Sequence, residues 1–376
     1  MIYFDSAATT LQKPSTVGRA SLYALHHLST PGRGAHKPAA AAARVAFDCR
    51  EEASALFHVP PERVVFTFNA THGLNIAIKS LVHPGDTVLI SGYEHNAVAR
   101  PLSTIPNIDI KLATSAPFEP ESLLCSFKEK LSESVSVVIC NHVSNVFGYI
   151  LPVGQIADLC RKRGIPFILD ASQSAGTLPV DCEALGTAFT AMPGHKGLYG
   201  PQGTGLLLCG ENAPVHTLME GGTGSLSASM EMPDFLPDRL EAGTHNITGI
   251  AGLLEGMRFI HGKTIGDILK HEKTLVSRAV SGLSSMAGVR VFAAEHLFCQ
   301  SGVLSFQVNG MDCEEVGRRL AQNGIAVRAG LHCAPLAHYS AGTLEEGTVR
   351  ISFSAFNTLR EVDYFLRAMQ EIVKNK

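Results

Sequence analysis

The sequence predicts an α/β fold with a large, mostly parallel sheet and a small C-terminal α+β domain. Three observations predict it: a length of 376 residues, a hydrophobic fraction of 45% against 17% charged, and a repeat of apolar run, turn and helical stretch. The length exceeds one ordinary core and fits two domains, at roughly 150 residues per domain. We expect an N-terminal arm over 1–15, a large domain over 16–260 and a small domain over 261–376.

The apolar runs begin near residue 64 and predict the strands of the large sheet. They are rich in β-branched residues and apolar on both faces, which is typical of buried parallel strands covered by helices. The runs are 64–67, 87–90, 135–140, 166–169 and 188–191.

Polar residues follow every one of these runs. In open α/β sheets the ligand binds beyond the carboxyl ends of the strands, so we expect the tips to converge on one site. The tips are 69–73, 93–96, 141–145, 170–173 and 194–196.

The pattern changes after about residue 260, where the small domain is expected. A cleft between two domains is a natural place for a substrate. The predicted elements are a helix over 264–284, strands over 289–292 and 303–306, a helix over 313–322, strands over 325–328 and 349–353, and a final helix to 371.

Charge and hydropathy exclude two classes of partner. With 31 basic and 34 acidic residues the net charge is −3, so the basic field that nucleic-acid binding needs is missing. The chain opens without a basic segment followed by an apolar stretch, and no run of about 18 apolar residues occurs later. We expect a cytoplasmic protein that binds neither nucleic acid nor membrane.

The nine cysteines are widely spaced and contain no CxxC pair. This excludes a disulfide framework and a clustered metal site, and it favours a reducing compartment. Most cysteines lie in apolar runs, so we expect eight of them, Cys125 and Cys140 included, to be buried as small hydrophobes. Cys333 is the exception.

Lys196 follows one predicted strand and Asp170 another. A lysine at such a tip can bind phosphate, lie at the surface or form a Schiff base. A carboxylate directly after a buried strand can pair with a protonated pyridine nitrogen, and pyridoxal phosphate needs both a lysine and such an acid. His95 is then placed to stack on the ring, and the helix start near Thr71 to hold the phosphate.

Several motifs together resemble the cysteine desulfurase and selenocysteine lyase branch of the class V aminotransferases. They run in order along essentially the whole chain, and they are specific as a set. They are Phe-Asp-Ser-Ala-Ala-Thr-Thr over 4–10, Glu-His-Asn over 94–96, His-Val-Ser-Asn over 142–145, Leu-Asp-Ala-Ser-Gln over 169–173, Gly-His-Lys over 194–196 and Arg-Ile-Ser-Phe-Ser-Ala-Phe-Asn-Thr over 350–358.

The resemblance implies a pyridoxal phosphate enzyme with a seven-stranded sheet, and it implies roles for residues around the cofactor. Lys196 binds the cofactor covalently, Asp170 bonds the pyridine nitrogen, Gln173 bonds the ring oxygen and His95 stacks on the ring. Ala70, Thr71 and His195 match the positions that contact the phosphate.

Asn145 and Arg350 match the pair that receives the substrate carboxylate. The planar fork of arginine grips a carboxylate through two parallel hydrogen bonds, which lysine cannot do. The alternative for Arg350 is a salt bridge between the domains.

The segment 221–225 resembles a loop that reaches the phosphate of a neighbouring subunit, which implies a homodimer in which Thr223 completes the partner's site. The segment 241–246 matches a family signature near the cofactor without assigned roles. Pro193 departs from the family, which has Ser or Thr there to donate a hydroxyl to the phosphate. Because proline has neither hydroxyl nor N–H, we expect Thr223 or water to replace the donor.

Cys333 lies in a predicted loop with His332 beside it and Arg328 five residues before it. We therefore expect an exposed thiol in a positive field, which is the environment of a nucleophilic cysteine. By the resemblance Cys333 accepts the sulfur and Arg328 orders the substrate or the loop.

The implied reaction converts L-cysteine to L-alanine with a persulfide on Cys333, or selenocysteine to alanine and selenide. A protein that accepts the persulfide is then expected, and no metal. Two alternatives stay open: a related lyase or aminotransferase in which Cys333 is structural, and a catalytically silent scaffold. The acceptor, any activator and the preference between cysteine and selenocysteine are not determined by the sequence.

Overall fold

The computed structural model describes residues 1–32 and 34–375. Its strands are β1 (Ile2–Tyr3), β2 (Val64–Thr67), β3 (Thr87–Ser91), β4 (Asp109–Ala113), β5 (Val135–Asn141), β6 (Phe167–Asp170), β7 (Phe189–Pro193), β8 (Gly205–Cys209), β9 (Val289–Phe292), β10 (Val303–Val308), β11 (Ile325–Ala326), β12 (Arg328–Gly330) and β13 (Thr348–Ser352). Its α-helices are α1 (Ser15–His27), α2 (Lys37–Phe57), α3 (Ala70–Leu81), α4 (Asn96–Ser103), α5 (Pro120–Lys130), α6 (Val153–Arg163), α7 (Cys182–Leu185), α8 (Ile247–Lys263), α9 (Ile265–Ser284), α10 (Cys313–Gln322), α11 (Pro335–Ala341) and α12 (Leu359–Lys374).

The large sheet has seven strands in the order β2-β8-β7-β6-β5-β3-β4. The central pairs from β7 to β4 are parallel, and β8 is antiparallel to both β2 and β7. Because β8 reverses direction between them, β2 and β7 point the same way. The predicted α/β class with a mostly parallel seven-stranded sheet is confirmed, and the tips after β2, β3, β5, β6 and β7 lie on one edge.

Both faces of the large sheet are buried. Along β3, Leu89 belongs to one hydrophobic cluster, whereas its neighbours Val88 and Ile90 belong to another. Successive side chains of a strand point to opposite faces, so each face has its own core. This explains why the strands are apolar throughout instead of alternating with polar residues.

Two strands of this sheet were not predicted. β4 lies at the edge and contains Asp109 and Lys111, so its sequence is not a continuous apolar run. β8 is apolar and fully buried, but it follows β7 after a glycine-rich turn instead of a helix. The repeated run, turn and helix therefore does not reach it.

The C-terminal sheet has the order β12-β13-β10-β9 and is antiparallel. The predicted single strand over 325–328 is wrong, because the chain forms two strands there. β11 pairs in parallel with β1, and β12 pairs with β13. Since Phe4 is also fully buried in the core under this sheet, the N-terminal segment is packed against the C-terminal part.

A sharp turn at Thr264 separates α8 from α9. Thr264 has a positive φ of 68° and its side chain accepts a hydrogen bond from Asp267 N. α8 packs on α1 and α2, whereas α9 packs on α12 and β9. The change of packing partner occurs close to the predicted domain boundary at 260, which stays a prediction.

The cysteines follow the prediction with one exception. All nine are free thiols, seven are buried, and Cys125 and Cys333 are exposed. The prediction for Cys125 was wrong because α5 buries Leu123, Ser126 and Phe127, which leaves residue 125 on the opposite face. Among the helices in the described ranges, none is both long and apolar enough to cross a membrane.

Candidate active site

A cavity of about 240 Å³ opens at the carboxyl edge of the large sheet. All five predicted strand tips and Ala8 of the N-terminal segment contribute to its wall. Of the predicted site residues, the wall contains Ala70, Thr71, His95, Asn145, Asp170, Gln173, His195 and Lys196. Four predicted site residues do not belong to the wall: Thr223, Arg328, Cys333 and Arg350.

Lys196 is held in a tight turn after β7. Tyr199 N donates to Lys196 O at 2.9 Å, and Gly200 N donates to Gly194 O at 2.7 Å. A Cβ at Gly194 would collide with Thr204 Oγ1, so only glycine fits beside this turn. Burial lowers the pKa of the Lys196 amine to about 8, against the attraction of Asp170, which acts to raise it. The neutral fraction of the amine near neutral pH is therefore larger than for an ordinary lysine.

Asp170 ends the central strand β6 and is 4% exposed. One carboxylate oxygen, Oδ1, accepts a hydrogen bond from Ser172 N at 2.9 Å. The strand continues its pairing beyond this residue, because Ala171 N donates to Ala191 O at 2.9 Å. Backbone bonds on both sides therefore fix the Asp170 carboxylate at the cavity.

His95 immediately precedes α4 and caps its first turn. Its Nδ1 accepts a hydrogen bond from Ala97 N at 3.0 Å, so the neutral ring carries its proton on Nε2. Burial, and then the Lys196 charge, lower the pKa of the ring below its ordinary value. A neutral imidazole with an Nε2 donor therefore lies on the cavity wall.

The first turn of α3 forms the end of the cavity. Asn69 caps the helix by accepting from His72 N at 2.9 Å, and Ala70 and Thr71 follow on the wall. The first N–H groups of a helix have no partner within it and attract anions. This end of the cavity therefore suits a phosphate.

His195 lies between this end and the N-terminal segment. Its Nδ1 is 3.0 Å from Thr9 Oγ1, and its carbonyl accepts from Thr10 N at 3.0 Å. Burial, followed by Lys196 and Lys13, lowers the pKa of the ring to about 4. His195 is therefore neutral at pH 7 and offers an anion a hydrogen bond rather than a charge.

Gln173 ties the cavity to the N-terminal segment, since its Nε2 donates to Ala7 O at 2.9 Å. The second hydrogen on Nε2 and the amide oxygen are left for other partners. Together with Thr9 and Thr10 on His195, this bond fixes residues 7–10 over the lysine turn. The segment was predicted as an arm, and its part in the cavity was not predicted.

Arg350 contacts Asn145, but unlike Asn145 it does not belong to the cavity wall. Arg350 Nη1 donates to Asn145 O at 2.9 Å, and the residue is 2% exposed. Each residue of this pair has one buried side-chain atom without a hydrogen-bond partner: Asn145 Oδ1 and Arg350 Nε. A donor and an acceptor are therefore left over where a substrate is expected.

Asp5 pairs with both predicted arginines. Its carboxylate accepts from Arg350 Nη2 at 2.8 Å and from Arg328 Nη2 at 2.8 Å. Arg350 thus makes a salt bridge to the N-terminal segment, whereas the alternative of a salt bridge between the domains and the role toward a substrate carboxylate both stay predictions. The sequence assigns no role to Asp5, because no local pattern joins residues 345 positions apart.

Cys333 is exposed in a short loop beside the cavity. His332 and Cys333 both have positive φ, 51° and 56°, which is unfavourable for residues with a side chain. Two hydrogen bonds hold this conformation: Asn145 Nδ2 to His332 O at 2.8 Å and Asn96 N to Cys333 O at 2.8 Å. The loop is therefore attached to Asn145 of the wall and to the residue after His95.

His332 does not supply the positive charge that we expected next to Cys333. The ring is buried, and its Nε2 lies 3.2 Å from both Thr348 O and Thr348 Oγ1. Burial, with Arg350 nearby, lowers the pKa of His332 well below its ordinary value. Arg328 is the cation that remains from the predicted pair.

Thr223 and the segment 241–246 lie outside the cavity. Thr223 Oγ1 is 3.0 Å from Ser225 Oγ. The expected contact of Thr223 with a partner subunit stays a prediction. Glu241 is buried and binds Arg50 at 2.7 Å and His245 at 2.8 Å. Burial alone would raise its pKa, but these partners lower it, so Glu241 is a charged structural anchor next to α3.

The residues present fit pyridoxal phosphate. A lysine with a lowered pKa, a buried carboxylate, a neutral histidine and a helix start with free N–H groups share one cavity. The orphaned Asn145 Oδ1 also needs a donor. No set of three or more potential metal ligands occurs within residues 1–32 and 34–375.

Comparison with known proteins gives a consistent family. The family model for class-V aminotransferases matches residues 2–365. A protein named "Probable cysteine desulfurase" from Pyrococcus abyssi is 31% identical, with 100% of this chain and 95% of that protein covered. Two mycobacterial relatives, from Mycolicibacterium paratuberculosis and Mycobacterium leprae, are 33% and 31% identical over 100% of this chain. The chain spans only 56% and 62% of their lengths.

Solved structures agree. A cysteine desulfurase from Thermococcus onnurineus superposes with a TM-score of 0.92 at 31% identity, covering 100% of this chain and 95% of the other. The cysteine desulfurase CsdA from Escherichia coli gives a TM-score of 0.89 at 26% identity, over 99% and 94% of the chains. Both likenesses extend over the large sheet and the C-terminal part together.

Proposed function

The chain belongs to the class-V aminotransferase family, whose members depend on pyridoxal phosphate, and from this premise we propose that it is a cysteine desulfurase. The proposed reaction converts L-cysteine to L-alanine and leaves a persulfide on Cys333. The observation that carries the proposal is the position of the Cys333 loop, whose backbone is hydrogen-bonded to Asn96 and Asn145 beside a cavity that holds Lys196 and Asp170.

Pyridoxal phosphate, when bound, takes up the electron pair left on the substrate Cα after proton removal. Asp170 would favour this by accepting a hydrogen bond from the protonated pyridine nitrogen. Lys196 is the base, because burial lowers the pKa of its amine to about 8 and it can accept a proton near neutral pH. With the cofactor bound, His95 would stack on the ring, Gln173 would bond the ring oxygen, and Ala70, Thr71 and His195 would hold the phosphate.

Cys333 accepts the sulfur. Its thiolate attacks the sulfur of the substrate, so an S–S bond forms as the substrate C–S bond breaks. The carbon fragment keeps the electron pair of the broken bond, takes up a proton and leaves as alanine. One sulfur atom is then stored on Cys333, and transfer to an acceptor protein restores the thiol. Exposure of Cys333 allows both the attack and the transfer.

Arg350 and Asn145 receive the substrate carboxylate in this proposal, and Arg328 orders the Cys333 loop. The unpaired Arg350 Nε is a donor suited to a carboxylate oxygen. Selenocysteine differs from cysteine by one atom, and nothing in the cavity separates them. We therefore keep conversion of selenocysteine to alanine and selenide as a second reaction of the same site.

We further propose a homodimer in the cytoplasm. Thr223 of each subunit would reach the phosphate of the other and replace the hydroxyl that Pro193 lacks. Free thiols on all nine cysteines suit a reducing compartment. Within each subunit the expected functional units are the arm over 1–15, the cofactor domain over 16–260 and the domain over 261–376 that carries the Cys333 loop.

The test compares Cys333→Ala with Cys125→Ala, because these are the two exposed cysteines. Alanine formation from L-cysteine is measured with a thiol reductant present. We expect loss of turnover in Cys333→Ala and the parent rate in Cys125→Ala. Undiminished alanine formation by Cys333→Ala would favour the related lyase, in which Cys333 is structural.

A second measurement separates the enzyme from a silent scaffold. Purified protein should show an absorbance band at the edge of the visible range, and borohydride should abolish the band and fix the cofactor to Lys196. Protein that binds no cofactor even after incubation with pyridoxal phosphate would favour the scaffold.

A further inference from the structure

Asp5 binds two arginines that lie opposite each other on neighbouring strands. Arg328 on β12 and Arg350 on β13 are directly opposite each other in the antiparallel register. Like charges at opposite positions of neighbouring strands repel each other. Asp5 Oδ1 accepts from Arg350 Nη2 at 2.8 Å, and Asp5 Oδ2 accepts from Arg328 Nη2 at 2.8 Å. One carboxylate therefore offsets the repulsion between the two guanidinium groups.

The position of Asp5 is fixed by the strand that carries Arg350. Ser352 N donates to Phe4 O at 2.8 Å, and Ala7 N donates to Ser352 Oγ at 2.8 Å. Ala8 N donates to Asp5 O at 3.0 Å and closes a turn directly after it. Asp5 is only 7% exposed, so neither its backbone nor its side chain is free to follow a displaced arginine.

The three side chains together carry one excess positive charge, since two arginines face one aspartate. Arg350 also keeps one buried donor, Nε, without an acceptor. A single carboxylate would neutralise the charge and could supply the missing acceptor. The same Asp5 carboxylate holds Arg328, which is five residues before Cys333 in the chain.

We propose that Asp5 is a positioning residue that orients the Arg350 guanidinium toward the α-carboxylate of the substrate and sets the charge of that site at one net positive. The inference rests on the desulfurase function proposed above. It makes the site selective for amino acids with a free carboxylate over the corresponding amines. It also gives the carboxylate site and the Cys333 loop a shared anchor.

The test measures ligand binding to holoenzyme that carries Cys333→Ala, so that no sulfur is transferred. L-cysteine and cysteamine, which is cysteine without its carboxylate, are titrated against the absorbance of the bound cofactor. Asp5→Asn should weaken L-cysteine binding about tenfold, or ~1.4 kcal/mol, and leave cysteamine binding within about twofold. Equal effects on both ligands, or no effect on either, would overturn the inference.

Arg328→Gln provides the second variant and retains the Asp5 carboxylate. It removes the excess charge and should also weaken L-cysteine binding severalfold, without changing cysteamine binding. The double variant Asp5→Asn/Arg328→Gln restores one net positive charge and removes the repulsion, so it should bind L-cysteine better than either single variant. Additive losses in the double variant would contradict the proposed charge balance.

These outcomes are distinct from failure of the desulfurase proposal. If the Cys333→Ala holoenzyme gives no response to L-cysteine, the proposed function itself fails. If that protein responds and Asp5→Asn responds identically, only the role of Asp5 fails.

Discussion

The two halves of the candidate active site are held in different ways. The cofactor half, made of His95, Asp170 and Lys196, lies at the ends of strands whose backbone hydrogen bonds fix it. In the sulfur-transfer half, Arg328 and Arg350 lie on paired strands, but their guanidinium groups and the Cys333 loop are connected through the side chains of Asp5 and Asn145. Side-chain bonds are lost by single substitutions, whereas backbone ladders are not. Substitutions in the cofactor half should therefore abolish a catalytic step without displacing neighbouring residues. Substitutions in the sulfur-transfer half should displace neighbouring side chains as well.

Lys196→Ala should have the largest effect and leave the rest of the cofactor half in place. We expect turnover of L-cysteine to fall by at least a hundredfold, because the base is lost. Borohydride treatment followed by peptide mapping should label Lys196 in the parent and no lysine in the variant. Labelling of a different lysine in the parent protein would contradict the assignment.

Asn145→Ala tests the sulfur-transfer half, since it removes the bond from Asn145 Nδ2 to His332 O at 2.8 Å. Without this bond, the positive φ angles of His332 and Cys333 are less well stabilised. The proposed contact of Asn145 with the substrate carboxylate is lost as well. We expect kcat/KM for L-cysteine to fall on the order of tenfold, as for the loss of one or two hydrogen bonds. The cofactor absorbance should be unchanged. Parent-like kcat/KM would mean that the Cys333 loop does not depend on this bond.

Pro193→Thr tests whether the phosphate site of the cofactor half lacks a donor, because it adds a hydroxyl at the end of β7. One more hydrogen bond to the phosphate should tighten cofactor binding severalfold, at about 1 kcal/mol per bond. The dissociation constant of pyridoxal phosphate, measured by fluorescence on protein freed of cofactor, checks this. An unchanged constant would mean that Pro193 leaves no donor missing.

Glu272→Gln has the smallest expected effect and concerns stability. Glu272 is 4% exposed in a second cavity behind Lys196, and burial raises its pKa from 4.5 to about 8. The unfolded chain therefore binds fewer protons than the folded protein between these values, so this group makes stability fall as pH rises from about 4.5 to about 8. The Tm of the parent protein should drop more than that of Glu272→Gln over this range. Parallel Tm profiles would contradict a protonated Glu272.

The sequence predicted the cofactor half better than the sulfur-transfer half, and the reason is physical. Asp170 is the last residue of β6 and Lys196 comes three residues after β7, so local patterns place them on the same edge of the sheet. Asp5 meets Arg350 across 345 positions of sequence, and no local pattern encodes that contact. The repeat of run, turn and helix also does not include β8, which follows β7 after a glycine-rich turn, so this strand was not predicted.

Local chemistry also misled the prediction at two positions. His332 adjoins Cys333 in sequence, but its ring turns inward to Thr348 and is neutral, so adjacency did not mean a shared electrostatic field. Cys125 lies among apolar residues, but the helix period places it on the exposed face. In both cases the direction of a side chain, and not its neighbours in sequence, decides its environment.

The most direct test of the central claim is a single turnover with L-cysteine followed by mass spectrometry of the peptides. Holoenzyme is mixed with less than one equivalent of L-cysteine in the absence of reductant, and alanine is measured in the same sample. We predict one added sulfur atom on the peptide that contains Cys333, in an amount equal to the alanine formed, and its removal by dithiothreitol. Alanine without added sulfur on Cys333, or sulfur found on Cys125 instead, would contradict the account.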